Sequence, residues 1–128
     1  ILSVAQRFGL DLEGWSRQPS TPLPQYDLPP RNHNLGTATR HERRIYLQKI
    51  GSALYPACLT RPDVAFAVAF LAQFCVNPAT AHQRAADHLI RYLLATQWLG
   101  LLFDGKESDL IAYADASFAD DQIDRRSS

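Results

Sequence analysis

Four carboxylates, Asp115, Asp120, Asp121 and Asp124, fall within ten residues near the end of a 128-residue chain. Grouped carboxylates can hold Mg²⁺, a hard cation that prefers oxygen ligands, and two such ions can drive in-line hydrolysis of a phosphodiester. Acidic loops are common, so the cluster alone is weak evidence of a site. No phosphate-binding G-x-x-x-x-G-K-[ST] loop, H-E-x-x-H pair or G-x-S-x-G elbow occurs in the sequence. His33, His41, His82 and His88 show no metal-ligand spacing, and surface or capping roles suit them better. Cys58 and Cys75 form no C-x-x-C pair; both lie in apolar helical runs and read as buried thiols of a reducing compartment.

The elements that must position these residues can be read from pattern. Hydrophobic residues make up 46% of the chain, enough for a core, and 13 basic residues balance 13 acidic ones. That balance gives no global electrostatic case for nucleic-acid or membrane binding. No window approaches the ~18 apolar residues a membrane span needs, and the first ten residues do not read as a signal peptide. The expectation is an intracellular protein, cytoplasmic or nuclear, neither secreted nor membrane-bound.

Ile1 to Phe8 reads as the end of a helix, with Ile1, Val4, Ala5 and Phe8 on one face and Gly9 as its stop. Five of the eight prolines then fall between Pro19 and Pro30, which demands an extended connector. A first core helix is expected from about Thr39 to Leu59, its inner face Tyr46, Leu47, Ile50, Ala53, Leu54, Ala57 and Cys58. Pro56 should kink it or end it early. A second is expected from Pro62 to Val76, with Thr60 as N-cap and Asp63 in the first turn. It is apolar almost all round, with Phe66, Phe70 and Phe74 as one stripe, so it should be a bundle centre or a partner surface. A third, Ala81 to Thr96, is amphipathic. Thr80 and Gln83 should cap it, Ala86, Leu89, Ile90 and Leu93 face inward, and Arg84, Asp87, His88 and Arg91 face out.

The period then changes. Leu99 to Phe103, a turn at Asp104-Gly105, and Leu110 to Ala114 read as a β-hairpin with Asp115 at its end. The expected class is therefore α+β. It divides into an N-terminal helix end and proline-rich connector (1–38), a helical region (39–97), and a hairpin with acidic tail (98–128).

Read in order, these pieces resemble the polyprotein of Ty1/copia-type retrotransposons. The resemblance rests on Tyr46 to Tyr55, Thr60-Arg61-Pro62-Asp63-Val64-Ala65-Phe66-Ala67-Val68, Asn77-Pro78, His82, Arg91-Tyr92-Leu93, Thr96 and Gly100. It continues through Asp115 to Asp120 and Asp124 to Ser128, with Arg7-Phe8-Gly9 and Ser20 to Leu23 upstream. It implies the end of a reverse transcriptase, its helical thumb and connection, running into the first strands of ribonuclease H. Asp115 would then match that domain's first metal-binding aspartate, with Mg²⁺ the parent enzyme's cofactor. The later ribonuclease H carboxylates and the polymerase aspartates have no counterpart here. Phe118-Ala119-Asp120-Asp121 has the form of the reverse transcriptase metal motif, but that motif sits on a palm hairpin and only helices and the connector precede it here. The expectation is a fragment that is catalytically inactive alone and binds no metal tightly.

Two other functions compete. Basic helix residues (Arg40, Arg43, Arg44 and Lys49, or Arg84 and Arg91) could touch an RNA or DNA backbone with salt-dependent, sequence-blind affinity. Alternatively the Phe66, Phe70, Phe74 stripe could be an interface, with a second copy or with the rest of a polyprotein.

Overall fold

The computed structural model describes residues 1–10, 18–29, 37–103 and 105. Helix α1 spans Leu2–Arg7, α2 Arg40–Leu59, α3 Ala65–Ala72 and α4 Thr80–Ala95, and a 3₁₀ turn at Pro62–Val64 leads into α3.

Helix α2 starts at Arg40, with Thr39, the expected start, as its N-cap. The Thr39 hydroxyl accepts from the Glu42 amide at 3.2 Å, and the Glu42 carboxylate accepts from the Thr39 amide at 2.8 Å. That reciprocal pair satisfies two amides of the first turn. The helix then runs on through Pro56 to Leu59, so the early end does not occur. Its buried stripe is Tyr46, Ile50, Ala53 and Ala57. Leu47, Leu54 and Cys58, expected beside them, lie one residue round the helix and are exposed.

The expected second helix is shorter than its apolar run. Arg61 and not Thr60 precedes the 3₁₀ turn. At the far end, amide bonds from Gln73, Phe74 and Cys75 reach back three residues to Phe70, Leu71 and Ala72, which tightens and closes the helix. Pro78 disfavours helical backbone at Asn77, and the Asn77 side chain instead accepts from the Ala38 amide at 2.8 Å.

Hydrogen bonds between elements fix the topology. Gln83 donates to the Glu42 carbonyl near the start of α2, and Arg61, just past its end, donates to the Thr96 carbonyl just past the end of α4. Helices α2 and α4 therefore run in the same direction, and α3 runs back between them. The Tyr46 hydroxyl, buried at the centre, donates to the Leu71 carbonyl at 2.7 Å. Val64, Ala67, Val68, Leu71 and Phe74 meet Tyr46 and Ile50 of α2 and Ala85, Ala86, Leu89 and Leu93 of α4 in one core.

A second, smaller cluster joins Ala5 and Leu10 to Ile90 and Leu94. It depends on Gly9, whose φ of 62° suits glycine. This turn lets the Leu10 amide reach the Ala5 carbonyl and the Gly9 amide reach Gln6, a closure that satisfies the last carbonyls of α1. Helix α4 thus buries two faces, one against α2 and α3 and one against α1.

The α+β expectation is corrected: the described residues are helical and contain no strand. A strand needs a neighbour to complete its ladder, and Leu101, Leu102 and Phe103 are 51%, 90% and 87% exposed with no strand beside them among the described residues. Leu110 to Ala114, the expected second strand, lies outside the described residues.

Candidate functional site

The densest polar cluster among the described residues is built around Arg61, which is 3% exposed. Its Nε and Nη2 donate to the two oxygens of Asp63 at 2.9 and 2.7 Å. Its Nη1 donates to the Thr96 carbonyl at 2.9 Å, and Nη2 reaches the Thr96 hydroxyl at 2.7 Å. The Tyr92 hydroxyl donates to Asp63 Oδ2 at 2.9 Å, and the guanidinium lies 5.6 Å from the Tyr92 ring centre.

Each partner is placed by an element. The tight turn at Pro62 brings Asp63 back to Arg61, and one helical turn separates Tyr92 from Thr96. A buried guanidinium needs its donors satisfied, and here a carboxylate, a helix-terminal carbonyl and a hydroxyl do so. The Arg61 guanidinium holds the Asp63 carboxyl below the usual carboxylate range. Every strong polar group is thus paired with another inside the protein. The arrangement closes this end of the bundle.

His82 is fully buried. Its Nδ1 accepts from the Ala79 amide at 2.9 Å, so Nε2 carries the proton and donates to the Pro29 carbonyl at 2.8 Å. The ring stacks on Phe74 with centroids 3.9 Å apart. Burial pushes this imidazole below the ordinary histidine range. His88, further along α4, meets the Thr21 carbonyl through Nε2 at 2.9 Å. The capping role expected of Thr80 and Gln83 falls to His82. Gln83 is used elsewhere, on Glu42 and at 3.4 Å on Lys49.

The basic residues separate into two groups. Lys49 is 8% exposed and pairs with Asp87, with the Phe8 ring 5.9 Å away. Arg43 and Arg91 are half-buried, while Arg44 and Arg84 are exposed. The Gln83 bond to Glu42 puts the starts of α2 and α4 side by side, so Arg44 and Arg84 belong to the same end of the bundle.

The phenylalanine stripe grades from outside to inside. Phe66 is 74% exposed, Phe70 half-buried and Phe74 5% exposed. The Phe66 and Phe70 rings stack at 6.1 Å, and Phe70 meets Phe74 edge-on at 5.4 Å. Burial pushes the half-buried Cys75 thiol up, away from reactivity. A cavity of about 260 Å³ opens between α1, α2 and α4, lined by Val4, Ala53, Pro56, Ile90 and Leu93 among others.

Asp115, Asp120, Asp121 and Asp124 lie outside the described residues. Among the described residues, no group of three His, Cys, Asp or Glu is placed to hold a metal ion, and no helix is long and apolar enough to cross a membrane.

Local pattern marks neither Arg61 nor Tyr92 as a functional position and places His82 no further than a surface or cap. One signal was present for Arg61: an arginine two residues before a carboxylate, across a proline that forces a turn.

No family model and no solved structure matches the chain. Among curated proteins it is similar to the secreted RxLR effector protein 161 of Plasmopara viticola, 41% identical over 83 residues, covering 64% of this chain and 58% of that protein. It is 39% identical over 83 residues to the retrovirus-related Pol polyprotein from transposon TNT 1-94 of Nicotiana tabacum, covering 65% of this chain and 6% of the polyprotein. A putative transposon Ty5-1 protein of Saccharomyces cerevisiae is 33% identical over 84 residues, 27% of its length. The chain therefore spans little more than half of the effector and a small part of the TNT 1-94 polyprotein. These matches support a retrotransposon-derived sequence.

Proposed function

We propose, from that kinship, that the chain is the helical thumb and connection stretch of a Ty1/copia-type reverse transcriptase, leading toward ribonuclease H, and that it serves as scaffold and not as catalyst. One observation carries the reading. The short motifs that resemble the family, Thr60-Arg61-Pro62-Asp63 and Arg91-Tyr92-Leu93 with Thr96, meet in the single Arg61–Asp63–Tyr92–Thr96 network. A network that locks a bundle in this way serves architecture.

In this reading Asp115 is the first carboxylate of a ribonuclease H site, which holds two magnesium ions only together with further carboxylates. The parent's substrates, RNA and DNA, its magnesium and its intracellular place are part of the same proposal. The test is a chimera in which the 83 matching residues of this chain replace their counterparts in the tobacco polyprotein. The proposal expects primer extension on an RNA template to survive. A folded, soluble chimera with no extension would overturn it.

An observation favours a second role within the same scaffold. Arg44 and Arg84 are exposed at one end of the bundle, placed to contact a phosphate backbone without reading bases. Lys49, by contrast, is committed to Asp87 and stays out of this role.

A further inference from the structure

Helix α2 has a gap in its hydrogen-bond ladder, and the gap lies on the wall of a cavity. Pro56 has no amide hydrogen for the Ser52 carbonyl, so that oxygen loses its helical donor. The gap is local. One turn on, the amides of Thr60 and Arg61 both donate to the Pro56 carbonyl, at 2.9 and 2.8 Å. Ser52 and Pro56 both line the cavity of about 260 Å³ between α1, α2 and α4. Both are half-buried, where a carbonyl deprived of its donor costs free energy.

Most of the remaining wall is apolar. Ala53 and Leu93 belong to the main core, Ile90 belongs to the second cluster, and Val4 packs against that cluster. The cavity thus opens at the seam between the two clusters. Tyr55, exposed, lies on its solvent side. The side chains that line it carry no charge, so an ion entering would lose its hydration without compensation. An apolar cavity of about 150 Å³ is enough to admit benzene, and this one has room for a second ring.

We propose that this cavity is a binding site for a small, neutral, largely apolar molecule carrying one hydrogen-bond donor, whose N–H or O–H takes the place of the missing amide at the Ser52 carbonyl. The apolar wall supplies affinity for the body of the ligand, and the carbonyl supplies its orientation. The site does not depend on the polymerase reading.

Indole and benzofuran test this, because they share a shape and differ in that indole offers an N–H where benzofuran has an oxygen. Each is titrated into the whole chain and followed by proton–nitrogen correlation NMR. Indole should produce saturable shifts at the amides of Val4, Ala53, Ile90 and Leu93, and should bind about fivefold more tightly than benzofuran, the worth of one neutral hydrogen bond. Pro56→Ala restores an amide to the Ser52 carbonyl and should abolish that preference. Ser52→Ala removes the hydroxyl, keeps the carbonyl and should retain it. The proposal is overturned if indole gives no saturable shift at these amides, or if the unaltered chain binds both molecules equally. A preference that survives Pro56→Ala, or is lost in Ser52→Ala, would equally overturn it.

Discussion

Arg61 joins two parts of the chain that are distant in sequence, the turn at Pro62 and the end of α4, and its guanidinium geometry makes this possible. A planar fork grips both oxygens of Asp63 while a third nitrogen reaches Thr96. Lysine carries one compact charge and matches at most one of those directions. Arg61→Lys should therefore destabilise the fold by about 2–3 kcal/mol, below the usual penalty for splitting a buried pair because the Asp63 side chain is 37% exposed. Urea denaturation measures it, and an unchanged midpoint would remove the network from the account. Tyr92 belongs to the same unit through Asp63, so its substitution and that of Arg61 should not add.

Helix α2 contains the clearest conflict between local propensity and tertiary structure. Pro56 has no amide hydrogen to give the Ser52 carbonyl, and proline costs about 3 kcal/mol relative to alanine inside a helix. The helix nonetheless continues to Leu59, because Ala53 and Ala57 on either side are buried against the core. Pro56→Ala should raise stability by about 1–2 kcal/mol, the gain being reduced by lost packing along the cavity that Pro56 lines. Thermal unfolding would show it as a higher midpoint, and a lower one would mean that Pro56 fits its surroundings better than propensity suggests.

The same helix shows what the sequence made legible. The apolar spacing gave a start near Thr39 and an inner face that includes Tyr46, Ile50, Ala53 and Ala57, while the reciprocal Thr39–Glu42 cap shows only in the structure. Leu47 and Leu54 fit the same spacing equally well, since a stripe displaced by one residue has the same period. Which one is buried depends on where α3 lies. Thr60 carried the expected cap chemistry for α3, but the carboxylate that should have started that helix is drawn to Arg61. The strand expected at Leu99 rested on local β-propensity, which is realised only with a neighbouring strand. The His82 grip on Pro29 joins residues 53 apart in sequence and leaves no trace in local pattern.

Among the described residues α2, α3 and α4 form the main core, with α3 running against the other two, and the sequence has a balanced charge, so affinity for nucleic acid must come from local groups of exposed cations. If Arg44 and Arg84 contact phosphates, replacing both with glutamine should lower the slope of log affinity against log salt by about 2. Filter binding to an RNA–DNA hybrid reads the slope, and an unaltered slope would exclude this end of the bundle. Replacing Lys49 should instead lower stability, through loss of its Asp87 partner.

The central proposal is that these residues serve a reverse transcriptase as scaffold and not as catalyst. Incubating the purified chain with an RNA–DNA hybrid and magnesium tests it most directly. The account predicts no cleavage above background, for the unaltered protein and for Asp115→Asn alike. Magnesium-dependent cleavage that disappears in Asp115→Asn would contradict it.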